Sequence, residues 1–315
     1  MHSRGSLPHV KLRPWQFVLL LLLVAAATVV AVFEFRRINL ETPGQLVAVL
    51  PHRDSVVFFV NVGLLRDAGV LGDIAGPTSG QEKDYRDFVA QSHFDYQRDL
   101  DRVAGTFNHG EVFLVIEGRF DWGRLREYAK THGGNCANIC WVSASSPGRW
   151  ISFFPISSRL MGLAVSANQK AVYAFGPVSN HQPKAEEVPS GLAWLEVPRA
   201  VLRNPPDLPP STQGFVQSLG GAQSLSLSLA YSPLSGGTTE VTMDALFDSA
   251  AQASAIRDQL AAATELVKRT AADRGVEGDS AVLAAMLTSG RFTASNGHVK
   301  GTWTARPELL NAIFR

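Results

Sequence analysis

The sequence predicts an α+β fold: antiparallel sheets covered by helices, built as two similar halves, after one N-terminal transmembrane helix. Three observations predict it. Phe17–Phe33 reads FVLLLLLVAAATVVAVF, with no charge, Pro or Gly. Short β-branched and aromatic runs such as Val56–Val62 recur at intervals closed by turn residues, and in Ser224–Tyr231, SLSLSLAY, Ser and Leu alternate; a period of two is that of a strand with one wet face. Between such runs lie longer stretches with apolar residues three and four apart, as in Ser249–Arg274, where Ile256, Leu260, Ala263 and Val267 share a stripe, the helical spacing.

The apolar segment sets the expected location. As a helix, its ~17 residues rise roughly 25 Å, and Trp15, Gln16 and Phe35 extend it toward the bilayer interfaces. Residues 1–14 carry Arg4, Lys11 and Arg13 and no acid. A basic start orients the first segment with its N-terminus in the cytoplasm and sends a long following domain outward. The rival is a cleaved signal peptide, for which Ala25-Ala26-Ala27 offers a small-x-small site. Apolar sequence runs on through Thr28–Phe33, longer than a cleaved segment needs, so the anchor is preferred. The expected organisation is a cytoplasmic stretch over 1–14, the membrane helix over 15–35 and a juxtamembrane linker over 36–50. A first α+β unit over 51–176, a linker over 177–190 and a second unit over 191–315 follow.

Val56–Val62, VVFFVNV, is apolar on both faces and so predicts a central strand. Helices are expected over Leu64–Leu71, Glu82–Ser92 and Tyr96–Ala104, the last capped by Asp95. Glu111–Arg119 reads as a strand, Asp121 as the cap of a helix over Trp122–Lys130, and four strands follow at Cys140–Ala144, Arg149–Ile156, Leu160–Ser166 and Lys170–Phe175. GPVSNHQPKAEEVPS over 176–190 holds three prolines and few apolar groups, which marks a boundary. A strand Leu192–Val197 and a helix from Pro198 then restart the order. Thr238–Leu246 returns from Ser224–Tyr231, and Asp248 repeats the position of Asp121 before a long helix. A further helix is expected over Asp279–Thr288. Asn296-Gly297 turns a hairpin of Arg291–Ser295 and His298–Thr304, and Pro307–Phe314 closes the chain as an amphipathic helix.

Composition excludes some classes. A net charge of +1 over 315 residues, with 18% charged residues, supplies no basic field for nucleic acid. Two cysteines cannot staple a scaffold of this size. His132, Cys136 and Cys140 stand at x3 spacings, where a metal site would need a fourth ligand. A small disulfide between Cys136 and Cys140 is the preferred reading in an oxidising compartment, with two free thiols or a metal as alternatives. His93, Asp95, Asp99 and Asp101 cluster locally, and Glu111, Glu117 and Asp121 sit at strand ends. No pocket or nucleophile accompanies them in sequence, so solvated structural roles are expected. Serine-hydrolase, zinc-protease, phosphate-loop, dinucleotide and EF-hand motifs do not occur. No catalytic, cofactor-binding or metal residue is therefore assigned, and no cofactor is expected.

LPHRDSVVFFVNVGLL (50–65) behind a membrane segment, with FDYQRDLDRV (94–103) and VFLVIEGRFD (112–121), resembles bacterial membrane-anchored extracytoplasmic proteins of unknown function, whose first strand is introduced by Leu-Pro-x-x-Asp-Ser. The resemblance implies a single-pass protein of the inner membrane with a periplasmic or extracellular globular part. The expected function is a membrane-tethered binding or scaffolding protein, touching lipid through its N-terminal helix and an envelope protein or polymer through its globular part. The alternative is an envelope-associated hydrolase or transferase whose site is assembled from distant residues.

Overall fold

The computed structural model describes residues 42–69, 71, 83–108, 110–176, 185–203, 219–232, 238–274 and 288–305. The apolar segment Phe17–Phe33, most of the 177–190 stretch and the helices expected over Asp279–Thr288 and Pro307–Phe314 lie largely or wholly outside them. Among the described residues no helix is long and apolar enough to cross a membrane.

A capping box opens the described chain. Thr42 Oγ1 accepts from Gln45 N, the Gln45 side chain accepts from Thr42 N, and Pro43 takes the first position of α1 (Pro43–Ala48), where its missing N–H costs nothing. The connecting stretch expected over 36–50 thus ends in a helix whose Leu46 and Val47 are fully buried. After it come β1 (Val56–Asn61), α2 (Val62–Asp67), α3 (Lys83–Ser92), α4 (Tyr96–Asp99), β2 (Leu100–Asn108), β3 (Glu111–Gly118) and α5 (Trp122–Thr131). The chain continues through β4 (Asn135–Cys136), β5 (Cys140–Ser143), β6 (Trp150–Pro155), β7 (Leu160–Ser166) and a 3-10 turn, Ala171–Ala174. Last are β8 (Ala193–Pro198), α6 (Arg199–Arg203), β9 (Ser224–Ser232), β10 (Thr238–Leu246), α7 (Ala250–Arg274), β11 (Arg291–Ser295) and β12 (His298–Ala305).

The twelve strands of the described residues form one antiparallel sheet, in the order β11-β12-β10-β9-β8-β1-β2-β3-β7-β6-β5-β4. This corrects the expected fold class, which placed separate sheets in two similar halves. The join is β1 against β8, with Phe59 opposite Trp194 and Val57 opposite Glu196. β1 is apolar on both faces, as suits a strand in the middle of a sheet covered on both faces, and β2 and β8 pair with its two edges.

Helices lie on both faces. Cross-strand partners share a face, so Val57, Phe59, Ala104, Phe113, Val115, Ala164 and Trp194 point one way, under α1 and the 3-10 turn. On the opposite face α5 packs Leu125 and Ala129 on Cys140, Val142, Phe153 and Met161. Along the same face α7 packs Ala253 and Leu260 on Leu225, Met243, Ala245, Val299 and Trp303.

Three local expectations change. Leu100–Ala104 is the start of β2 and not helix, because Leu100 and Val103 are drawn into the ladder with β3. Lys170–Phe175 is a 3-10 turn whose Val172 and Phe175 fill the core under α1. At α7 the cap is Ser249, whose Oγ accepts from Gln252 N. Asp248 turns away to a bidentate pair with Arg199, 2.7 Å to each oxygen.

Candidate functional site

Between α1 and β1 the chain must reverse within Leu50–Ser55, and the sequence dictates how. Pro51 cannot continue a helix, and Asp54 takes a left-handed backbone at φ +52°, a conformation Asp tolerates. Thr106 Oγ1, almost wholly buried, donates to Pro51 O at 2.9 Å and pins the loop to β2. Across the loop lies the strap 185–190. Glu186 N donates to Gly44 O, and a Cβ on Gly44 would stand 2.1 Å from Glu186 O, so only glycine fits there.

Beneath this loop opens a cavity of about 550 Å³, lined by Leu50, Pro51, Phe113 and Ala174 on its apolar side. His52, Arg53, Ser55, Thr106 and Glu111 supply its polar side. Phe113 is held edge-on to Phe175 with centroids 5.8 Å apart. His52 Nδ1 lies 2.8 Å from Leu50 O and its Nε2 3.2 Å from Glu186 Oε1. Ser55 Oγ donates to Arg53 O, and Glu111 Oε1 accepts from Ser166 Oγ at 2.6 Å. The serine and the histidine of the loop therefore address different partners. The Arg53 guanidinium is exposed at the mouth and has no partner among the described residues. Nearby, Glu196 on β8 is half-buried, and burial, followed by the charge of Glu186, raises its carboxyl above the ordinary range.

Other candidates form structure. Asp95 caps α4 through Gln97 N and accepts from Tyr85 Oη. Burial first and Asp95 second push the Tyr85 phenol up. Asp99, nearly buried, takes hydrogen bonds from Asp95 N, Arg98 and Arg119. Burial works to raise its carboxyl, and those donors outweigh it, holding it below the usual range. Asp101 pairs with Arg66 at 3.1 Å and Arg159 at 2.6 Å. Glu117 pairs with Arg102, and Asp121 caps α5 through Arg124 N. Only Glu111, of these carboxylates, reaches the cavity.

Cys136 and Cys140 face each other in the β4–β5 hairpin with Cα atoms 4.0 Å apart, and their sulfurs are bonded. His132 instead stacks on Tyr128 and contacts its carbonyl. No group of three metal-ligating side chains occurs among the described residues. The sequence marked Leu50–Ser55 as the entry to β1 and not as a cavity; Thr106 and Phe113 join the cavity through strand register and Ala174 through the 3-10 turn.

No protein family matches the chain, and no curated protein matches it. Among solved structures the chain is similar to "Structure of crystal form I of TP0453", at 11% identity, covering 85% of this chain and 95% of that one. The TM-score is 0.41, and at that score the likeness bears on neither mechanism nor ligand.

Proposed function

We propose that the chain is a membrane-tethered, extracytoplasmic binding protein whose cavity under Leu50–Ser55 takes a small amphiphile. The apolar body of the ligand lies against Leu50, Pro51 and Phe113, and its anionic end faces Arg53. One observation carries this reading: a cavity of about 550 Å³ with one apolar side and a polar side whose serine, threonine and glutamate are already hydrogen-bonded within the protein. A few hundred Å³ with apolar walls and a small number of placed polar groups is the usual form of a small-molecule site. The tether is the apolar segment Phe17–Phe33, and carbonate washing of membranes tests it: the protein stays in the pellet.

The ligand reading is tested by titration calorimetry on the full chain in nanodiscs, with empty nanodiscs subtracted, using medium-chain carboxylates and the matching alcohols. Ala174 is exposed at the cavity wall, so Ala174→Trp fills the space without disturbing the core and abolishes binding of both. Arg53→Gln weakens the carboxylate and spares the alcohol. Unchanged binding in Ala174→Trp would place the ligand elsewhere and defeat the reading.

A further inference from the structure

The twelve-stranded sheet has two edges, and they differ. At one end β4 is two residues long and its hairpin is closed by the Cys136–Cys140 bond. At the other, β11 is five residues long, RFTAS, with no Pro and with its one charge, Arg291, at the end of the strand, so its middle carries none of the residues that ordinarily blunt an edge. The hairpin turn fixes which of its backbone groups are free. Asn296 and Gly297 both have positive φ, +50° and +83°, so Ser295 and His298 close a two-residue turn as a hydrogen-bonded pair. Alternate residues then share that orientation. Ser295, Thr293 and Arg291 address β12, while the N–H and C=O of Phe292 and Ala294 point outward. Among the described residues no hydrogen bond outside the ladder uses those four groups.

We propose that β11 pairs antiparallel with β11 of a second copy of this chain, about a two-fold axis at Thr293. In this register Phe292 lies opposite Ala294 of the second copy and Ala294 opposite its Phe292, which satisfies all four outward groups at once. Sliding the register by two residues either way leaves part of the set unpaired. Side chains agree with it. Thr293 meets Thr293, a favourable β-branched pair on an exposed face, and Arg291 meets Ser295, so no like charges face each other. On the other face the large Phe292, already packed edge-on to Trp303 at 5.4 Å, lies opposite the small Ala294. Four hydrogen bonds alone make a small contact. The helix α7 enlarges it: it lies over β11 more than over β12, so the two copies of α7 come side by side. Leu266, beyond the buried Leu260 on α7, is 66% exposed.

Disulfide trapping on the full chain tests the pairing. Both native cysteines are bonded to each other, so Thr293→Cys adds the single free thiol. Thr293 on the axis is a non-hydrogen-bonded pair, whose Cα atoms approach to about 4.5 Å. Mild oxidation therefore converts most of Thr293→Cys to a covalent dimer, while Tyr173→Cys, also exposed but on another surface, stays monomeric. Adding Ala294→Pro to Thr293→Cys removes an outward donor, spares the β11–β12 ladder and suppresses the dimer. Equal trapping of Thr293→Cys and Tyr173→Cys, or full trapping despite Ala294→Pro, would overturn the proposal.

Discussion

Replacing Phe59 and Trp194, singly and together, tests whether the chain is one cooperative sheet. The two rings stack with centroids 5.9 Å apart and planes 23° from parallel, and they are 1% and 3% exposed. Phe59→Leu keeps most of the buried apolar volume, so its cost is about 1–1.5 kcal/mol, chiefly lost ring contact. Trp194→Leu removes more volume and leaves a cavity worth about 2–3 kcal/mol. Against this stands a gain: among the described residues the buried Trp194 Nε1 has no hydrogen-bond partner, and removing such a donor returns about 1 kcal/mol, the low end of its range. The single costs are therefore similar, at about 1–2 kcal/mol each. For a folded part of this size each lowers the melting temperature by roughly 2–8 °C. The double variant should fall short of additivity by about 0.5–1.5 kcal/mol, the worth of the aromatic pair. Thermal unfolding followed at two probes decides it, one reading α5 with its strands and the other α7 with its strands. A shared transition moved by either variant, with that coupling, is expected. Two transitions, with Phe59→Leu moving only one and no coupling to Trp194, would refute the continuous sheet.

Further outcomes follow from individual contacts. Asp99→Asn should cost about 1–3 kcal/mol, because Arg98 and Arg119 lose charged hydrogen bonds but are exposed enough to find water. The Asp99 carboxyl is depressed in the folded state. Its contribution is thus present above the ordinary Asp range and lost as pH falls through the lower folded value; acid titration of Asp99→Asn should lack that component. Alkylation before and after reduction should find both cysteines blocked in the native protein, and Cys136→Ser with Cys140→Ser should still fold, since so short a loop yields only ~1–2 kcal/mol. Protease nicking between Gly176 and Gly191 should leave fragments that co-elute until denatured, because β8 is hydrogen-bonded to β1; separation in native buffer would contradict the pairing.

Much of the local structure was legible because it is written in local chemistry. Asn296-Gly297 fixes its hairpin, Asp121 caps α5, and the Ser/Leu alternation of β9 places Leu225 in the core and Ser226 on the other face. The misreadings occur where distant pairing overrides a local signal. Leu100 and Val103 fit a helical stripe behind the Asp95 cap, yet the ladder with β3 claims them. The proline-rich stretch before Gly191 reads as a divider, while β1 finds its second neighbour beyond that stretch. The candidate cavity was not legible. Leu50–Ser55 stood out as the entry to a strand and Glu111 as a strand-end carboxylate, but only tertiary position brings them together with Thr106, Phe113 and Ala174.

The pairing of β1 with β8 also governs how the chain is made. Phe59 and Trp194 are about 135 residues apart in sequence. At ordinary synthesis rates of roughly 5–20 residues per second, β1 emerges some ten seconds before its second neighbour exists. During that interval VVFFV, apolar on both faces and free of Pro and charge, carries one strand edge with nothing to pair with. A segment of that composition is a template for intermolecular strand addition. Newly made chains truncated before Ala193 should therefore aggregate or engage a chaperone, whereas chains extended through Pro198 should not. The central seam therefore closes long after β1 is made, and the solubility of the unfinished chain depends on it.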